Sequence, residues 1–233
     1  MGLKILAIET STEACSVALL DKDKCNEFHE IVPQKHTERL LPMLDELLTE
    51  CKTDISEINY IAFGCGPGAF TGIRIACSAA QAISFSQDIP IIPISTLAGL
   101  AHGAAKKYNS SKIIPCIDAR MQEVYWANYS FEANSGKVTL AGEEQVISPE
   151  ATNISFNKGN NEIIAIGSGW LTYKELLTER HSKYKIIQSE IEYPHAKDIA
   201  EIAKIKIADG NVKQAEDALP TYLRNKVTHQ KRG

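Results

Sequence analysis

The sequence predicts a mixed α/β fold in two related lobes, on three observations. Short β-branched apolar runs alternate with longer stretches of helical apolar spacing, as in a sheet covered by helices. A strand-rich stretch begins at Leu3 and another at Ile113. The 233 residues, 44% hydrophobic and 23% charged, are enough for one large domain or two small ones.

The chain begins with three predicted strands joined by short turns, which indicate an antiparallel meander. These strands cover Leu3 to Thr10, Cys15 to Leu20 and Phe28 to Val32. From about Thr37 the apolar spacing becomes that of a helix of about fifteen residues. Pro42 is tolerated within the first turns of this helix or marks its true start.

The centre of the chain, Gly64 to Ser86, predicts a glycine turn that leads into an apolar helix. A buried strand from Ile58 to Phe63 precedes it, and Thr71 is the expected N-cap. Arg74 is the only charge between Thr71 and Ser86, so the helix must be covered on more than one side. Its own fold or a partner subunit can supply the second cover. The run is too short for a membrane span.

After this helix, Ile91 to Ile94 predicts a strand, and Ser95 or Thr96 caps a helix from Leu97 to about Tyr108. A meander followed by parallel crossovers is the order of a ribonuclease H-like lobe. The second half repeats short strands and helices. Its predicted strands are Ile113 to Ile117, Gln122 to Phe131, Lys137 to Leu140, Val146 to Ile147, Ile163 to Ile166 and Lys185 to Gln188, and its helices are Leu171 to Thr178 and His195 to Ala208.

These elements predict four segments. Residues 1–108 form the first lobe and residues 109–194 a smaller, abbreviated second lobe. Residues 195–223 form a helix and an extended segment that pack back toward the first lobe, and residues 224–233 form a flexible tail.

Charge and cysteine usage restrict the class of function. The net charge is −4, with no block of like charges, so the chain lacks the basic surface of a protein that grips nucleic acid alone. Its six cysteines include no C-x-x-C pair and fit small core residues in a reducing compartment. The start MGLKILAIETST has no long apolar signal region. We therefore expect a cytoplasmic protein with no membrane association.

The glycine turn does not match the usual phosphate-binding loops. No lysine follows Gly68 or Gly72, as a Walker loop requires, and no ribose-binding acid follows at the spacing of a dinucleotide fingerprint. A helix N-terminus with free amides can still hold an anion weakly. The candidate residues for such a weak anion or nucleotide site are Glu9, Thr10, Ser11, Gly66 and Gly68.

Metal and catalytic patterns are missing from the sequence. No two of the six histidines stand at i, i+4, so no H-x-x-x-H metal face exists, and we expect neither metal nor cofactor. Asp118, Arg120 and Glu123 cluster at one hairpin turn, where an internal ion pair is the simpler interpretation. No nucleophile and base pair is evident, so no catalytic residue is assigned.

Five segments together resemble the bacterial TsaB family, also called YeaZ. They are LAIETS, SVAL, GPGAFTGIRIA, IDARMQEVYWANY and LPTYLR, and they span essentially the whole chain. The resemblance implies the ASKHA fold, two ribonuclease H-like lobes as in actin, Hsp70 and sugar kinases. Two departures, Glu9 where Asp is common and Ala69 where Ser is common, weaken any nucleotide role.

The resemblance also implies a non-catalytic role in forming N6-threonylcarbamoyladenosine (t6A) in tRNA. The family pairs with the catalytic subunit TsaD and the ATPase TsaE, meets tRNA only through that complex, and forms homodimers when alone. The implied partner contact uses the two helices that flank the glycine turn. On this chain the corresponding residues are Thr37, Leu40, Leu41, Leu44, Leu48, Ile73, Arg74, Ala76, Cys77, Ala80 and Ile83. The alternative is a stand-alone ATPase or small-molecule kinase of the same fold, and a metallopeptidase ranks third.

Overall fold

The computed structural model describes residues 2–156, 161–190 and 193–224. Its first sheet has the strand order β3-β2-β1-β4-β5. The strands are β1 Lys4–Glu9, β2 Ala14–Asp21, β3 Lys24–Ile31, β4 Tyr60–Gly64 and β5 Ile91–Ile94. β1, β2 and β3 pair antiparallel, whereas β1, β4 and β5 pair parallel. The predicted meander with parallel crossovers is therefore confirmed.

The second sheet repeats that order as β10-β7-β6-β11-β12, with a β8-β9 hairpin added at the side of β6. Its strands are β6 Lys112–Arg120, β7 Glu123–Trp126, β8 Tyr129–Glu132, β9 Lys137–Leu140, β10 Gln145–Ile147, β11 Glu162–Ile166 and β12 Lys185–Gln188. All five positions of the first sheet are thus filled. What is shortened is the connection between β10 and β11, where the described residues form only a 3-10 turn, Pro149–Ala151.

One strand prediction in the second half needs a correction. The run Gln122 to Phe131 is two strands, β7 and β8, rather than one. Both lie along the same edge of β6 in one register, since Trp126 pairs with Cys116 and Tyr129 with Ile113. The break falls opposite Pro115, which has no N–H to donate to the ladder.

Six helices complete the fold: α1 His36–Glu50, α2 Phe70–Gln87, α3 Thr96–Tyr108, α4 Ser168–Thr172, α5 Lys174–Arg180 and α6 Ala196–Ala208. α3 and α6 lie between the two sheets, in one core cluster with residues of both. α1 and α2 cover the outer face of the first sheet. Strand β1 shows the division, because Ile5 and Ala7 point to the central core while Leu6 and Ile8 point to the outer one.

The start of α2 also differs from the prediction. The helix begins at Phe70 with Ala69 as its N-cap, so Thr71 lies inside the first turn, and no described side chain caps the helix. α3 begins as predicted, because the Ser95 hydroxyl accepts from the amides of Leu97 and Ala98. The predicted tail falls almost entirely on residues 225–233, which lie outside the described residues.

Candidate functional site

The glycine turn between β4 and α2 is closed by the end of β1. The amide of Ala69 donates to the Ser11 carbonyl at 2.7 Å, and the Thr10 hydroxyl donates to the Gly72 carbonyl at 2.7 Å. A Cβ on Gly68 would overlap the Ser11 carbonyl oxygen, and one on Gly72 would overlap that of Thr10. These two glycines therefore permit a close approach of the chain to itself.

The predicted anion residues lie together, but most of them face inward. The carboxylate of Glu9, 1% exposed, accepts from the Ser11 amide at 2.6 Å and from the Thr96 hydroxyl at 3.4 Å. Burial raises the pKa of Glu9, and these hydrogen bonds oppose the rise. The Gly66 carbonyl accepts from the Thr96 amide. Of the predicted set, Ser11 and Gly68 reach the cleft between the lobes, and an anion site there stays a prediction.

The cleft itself has a volume of about 490 Å³ and lies between the start of α2, the β6-β7 turn and the C-terminal segment, residues 213–224. At the β6-β7 turn, Arg120 pairs with Asp118 at 3.2 Å and with Glu13 at 3.4 Å. Glu123 pairs instead with Arg224 at 2.5 Å. The charged groups expected at this turn are thus engaged in ion pairs that tie the turn to the first lobe and to the C-terminal segment.

Histidine and acidic side chains do not converge on a metal position. No group of three or more His, Cys, Asp or Glu residues with that geometry occurs in the described parts of the chain. His29 and His195 are near neighbours, but their rings stack with centroids 4.0 Å apart. Likewise, no described helix combines the length and hydrophobicity that crossing a bilayer requires.

The structure corrects the predicted partner surface, because six of its residues lie in the protein's own core. The packing of α1 and α2 on the first sheet leaves each of them at most 5% exposed. These residues are Leu40, Leu44, Ile73, Ala76, Cys77 and Ala80. Among the other predicted residues, Thr37, Leu41 and Arg74 are exposed, and Leu48 and Ile83 are half-buried.

Sequence reasoning missed several outward-facing residues of α2. Phe85 is 82% exposed, Ala82 and Ser78 are exposed, and Ile75 and Ala79 are half-buried and pack against the outer core of the first sheet, as Leu48 of α1 does. Their i, i+3, i+4 spacing could have identified this face, but the opposite face of α2 is equally apolar. We define the docking surface as a set of uncharged, outward residues of both helices: Thr37, Leu41, Leu48, Thr71, Ile75, Ser78, Ala79, Ala82, Ile83, Phe85 and Ser86.

The C-terminal segment covers one side of α2, which the sequence also did not show. Gln81 donates to the carbonyls of Ala215 and Ala218 at 3.0 Å, and the Cys77 thiol lies 3.3 Å from the Ala218 carbonyl. At the start of the helix, the Arg74 guanidinium donates to the Tyr222 hydroxyl at 2.8 Å. The second cover that α2 requires is therefore supplied in part by its own chain, while the docking surface stays open.

Two lobes with the same 3-2-1-4-5 sheet order, enclosing two central helices, define a protein of the ASKHA class. A solved protein from Pseudomonas aeruginosa, described as similar to peptidase YEAZ, superposes with a TM-score of 0.87 at 38% identity. The match covers 95% of this chain and 100% of that one.

Sequence comparisons identify the family. The family model "TsaD: tRNA N6-adenosine threonylcarbamoyltransferase" matches residues 17–231. The tRNA threonylcarbamoyladenosine biosynthesis protein TsaB of Escherichia coli is 39% identical, with 98% of each chain covered. That of Haemophilus influenzae is 36% identical over 99% of this chain and 97% of its own. The chain therefore belongs to the TsaB family, and the resemblance predicted from its motifs is confirmed.

Proposed function

We propose that this protein acts in tRNA threonylcarbamoyladenosine formation as a non-catalytic subunit that docks on a TsaD-like transferase. The family supplies the pathway, since its members are named for biosynthesis of this modified nucleoside. The docking surface on α1 and α2 is the single observation that supports a docking role.

The composition of the docking surface fits a permanent protein contact. Leu41 is 64% exposed and Phe85 is 82% exposed, and the residues around them on α2 are small or apolar. The exposed charged residues of the two helices, Glu38, Asp45, Glu46, Glu50 and Arg74, stand beside this set. Solvent-exposed apolar side chains in a continuous group are typical of interaction sites rather than of free surface.

The chemistry of the partner follows from the chain's own family match. Because this chain matches the TsaD model over residues 17–231, a TsaD-like partner shares its fold and has outer helices of its own. Packing helices against helices buries apolar area worth about 25 cal/mol per Å², before the costs of association. We assign the transferase chemistry to that partner, since the Glu9 carboxylate of this chain is engaged with Ser11 and Thr96.

Three further parts belong to the same proposal. A TsaE-like ATPase joins the complex, and tRNA contacts this subunit only through it. The isolated chain pairs with a second copy through the docking surface. A cytoplasmic location is part of the proposal, because the complex acts on tRNA.

Charge substitutions on the docking surface test the proposal. Leu41→Asp and Ala82→Glu place a charge on exposed positions of α1 and α2, so the fold should be kept while a buried, unpaired charge abolishes pairing. Binding to the purified TsaD-like subunit of the same organism is measured by calorimetry, and t6A in tRNA by mass spectrometry of digested nucleosides. We expect at least about a hundredfold weaker binding and loss of the modified nucleoside.

Leu171→Asp is the matched control, because Leu171 is a 49% exposed leucine on α4 of the second lobe. It should bind and support modification like the wild type. Wild-type binding by both docking-surface variants would contradict the proposal.

A further inference from the structure

We infer that a pocket between α3, α6 and the β8-β9 hairpin binds a small neutral molecule with an apolar or aromatic body and one hydroxyl or N–H group, which donates a hydrogen bond to His102. The pocket has a volume of about 590 Å³, within the range of ligand sites in proteins. It is built on the two central helices, whereas the docking surface lies on α1 and α2, so its ligand is independent of the proposed docking contact.

Helical spacing forms the two long walls of this pocket. α3 contributes the residues at i, i+3, i+4 and i+7 from His102, and α6 contributes the same spacing from Glu201. The third wall is the end of the β8-β9 hairpin, the element that the second sheet has in addition to the shared strand order. Both helices pack against the hairpin and against each other, so three regular elements hold the shape of the pocket.

A buried pair of histidine and aspartate lies at the base of the pocket. His102 is 2% exposed, and its Nδ1 lies 2.8 Å from Oδ1 of Asp198, which is 5% exposed. A Cβ on Gly103 would lie 2.6 Å from the other Asp198 oxygen, so glycine leaves the room that this carboxylate occupies. Because a carboxylate only accepts hydrogen bonds, the proton of the neutral imidazole is assigned to Nδ1, and Nε2 presents a lone pair.

This lone pair is accessible from the pocket. His102 Nε2 forms no hydrogen bond with any residue in the described parts of the chain. Among those residues, the side-chain polar atoms that are both unpartnered and fully enclosed are Asp21 Oδ1 and His29 Nε2, so His102 Nε2 meets the pocket that His102 lines. An acceptor this deep gains more from a ligand's hydrogen bond than a solvated surface group does.

The rest of the lining determines the body of the ligand. The Phe131 ring lies at 79° to the imidazole, with the centroids 6.0 Å apart. Small and apolar side chains continue the walls around these two rings: Ala105, Ala133, Ile205 and Ala208. An aromatic or aliphatic body therefore fits against the walls while its polar end reaches Nε2.

The charges at the rim exclude an ionic ligand as the preferred one. Four charged residues line the pocket, and each of them already has a partner of opposite sign, so none is left to balance a charged ligand. The pairs are Lys106 with Glu201 at 3.5 Å, Lys204 with Asp23 at 2.9 Å and Asp209 with Lys137 at 3.2 Å.

Three probes of similar size test the chemical class. Phenol donates a hydrogen bond, toluene has the same shape without the donor, and benzoate carries a charge and has no proton to donate. The readout is the ¹⁵N resonance of His102 Nε2 in the full chain, assigned with His102→Gln and followed near neutral pH. We expect phenol to shift this resonance with a dissociation constant of about 1 mM. Toluene and benzoate should bind at least about tenfold more weakly, because Nε2 stays unpaired.

Two variants fill the pocket from opposite walls without touching the buried pair. Ala133 of the hairpin and Ala208 of α6 are both exposed alanines that line it. Ala133→Trp and Ala208→Trp should each weaken phenol binding at least about tenfold, with the Nδ1 proton resonance retained as evidence that the fold and the pair are intact. Ala151→Trp, at an exposed alanine outside the pocket, is the matched control and should bind phenol within about twofold of wild type.

Three results would overturn the inference. The absence of a saturable shift up to about 10 mM phenol would leave the buried pair with a purely structural role. Equal or tighter binding of toluene or benzoate would contradict the neutral donor as the ligand class. Wild-type phenol binding by both tryptophan variants would place the phenol outside this pocket.

Discussion

The two lobes share a sheet order and a glycine turn after the fourth strand, yet the proposed docking surface lies on the first lobe. In the first lobe, Gly68 and Gly72 lie against the carbonyls that end β1. In the second lobe, Gly167 and Gly169 lie against Cys116 of β6, the strand in the same position of its sheet. Both turns thus use glycine to bring the next helix close to the first strand of the lobe.

The difference lies on the outer faces. The first lobe carries α1 and α2, of 15 and 18 residues, whereas the second carries α4 and α5, of 5 and 7 residues. A helix pair of that length gives two parallel ridges that another pair can pack against, and short helical turns do not. The repeated fold is therefore common to both lobes, and the length of the outer helices is what distinguishes the lobe that carries the proposed docking surface.

The largest effect is expected from Gly72→Ala, which tests whether the first glycine turn is needed for close packing. Alanine favours a helix by about 1 kcal/mol over glycine, so helix propensity alone predicts stabilisation. A Cβ at this position overlaps the backbone oxygen of Thr10. We expect a loss of about 3 kcal/mol or more of the free energy of unfolding, measured by urea denaturation.

Two companion variants sharpen this result. Gly169→Ala should cost less, because its Cβ overlaps only the Cys116 side chain and stays 3.1 Å from that residue's backbone oxygen, whereas the Gly72 Cβ overlaps a backbone oxygen itself. Ala82→Gly, at an exposed position of α2, should lose only about 1 kcal/mol through propensity. A Gly72→Ala protein as stable as the wild type would show that β1 and α2 are less closely packed than described.

A smaller effect is expected from acid on the core of the second lobe. His181 is 3% exposed, shares a 2.9 Å hydrogen bond with Thr152, and stacks on Trp126 at 5.4 Å. Burial, with the charges of Arg180 and Lys183, lowers the pKa of His181 from 6.5 to about 4. The folded state therefore binds the proton less readily than the unfolded state does.

Stability from this histidine is fully present above pH 6.5 and is lost as the pH falls toward about 4. The loss should reach about 3 kcal/mol near the lower end of that range. Trp126 and Trp170 are the two tryptophans of the chain and both lie in this core, so their fluorescence follows the second lobe. His181→Gln should flatten the pH dependence between 6.5 and 4. An equally steep decline in this variant would assign the acid sensitivity to other groups.

Much of the fold could be predicted because its signals are local. The sequence predicts strand β5 at its observed bounds, Ile91–Ile94, from two short-range features, an apolar run and its neighbouring turn residues. The break between β7 and β8 could not be predicted in the same way. It depends on Pro115, a residue of the neighbouring strand, and that pairing exists only after folding.

The candidate site shows the same limit. The sequence identified α1 and α2 as too apolar for their own sheet, but it could not say which of their residues stay outside. Both faces of α2 are apolar, and the C-terminal segment that covers Cys77 and Gln81 is more than 130 residues away along the chain. The sequence therefore predicts surface positions for Leu44 and Ala80, and both are buried in the structure.

The smallest effect is expected from a new side-chain cap at the start of α2. The corresponding helix of the second lobe, α4, also lacks such a cap among the described residues. The N-cap residue of α2 is Ala69 and that of α4 is Gly167, and no described side chain caps either helix. α3, by contrast, is capped by Ser95. Ala69 is exposed and has the extended backbone of an N-cap, with φ −62° and ψ 124°. Ala69→Ser should therefore raise the free energy of unfolding by about 0.5 to 1 kcal/mol, measured by urea denaturation.

Ser95→Ala removes the cap of α3 together with the hydrogen bond from the Ser95 hydroxyl to Glu144, and should lower the free energy of unfolding by at least about 1 kcal/mol. If Ser95→Ala destabilises the protein while Ala69→Ser changes nothing, the first turn of α2 gains no stability from a side-chain cap. Its position would then be set by the backbone bond from Ala69 to Ser11 and by the Thr10 hydroxyl on the Gly72 carbonyl. The glycine turn would in that case fix the start of the helix through contacts with β1, as the close approach of Gly68 and Gly72 already indicates.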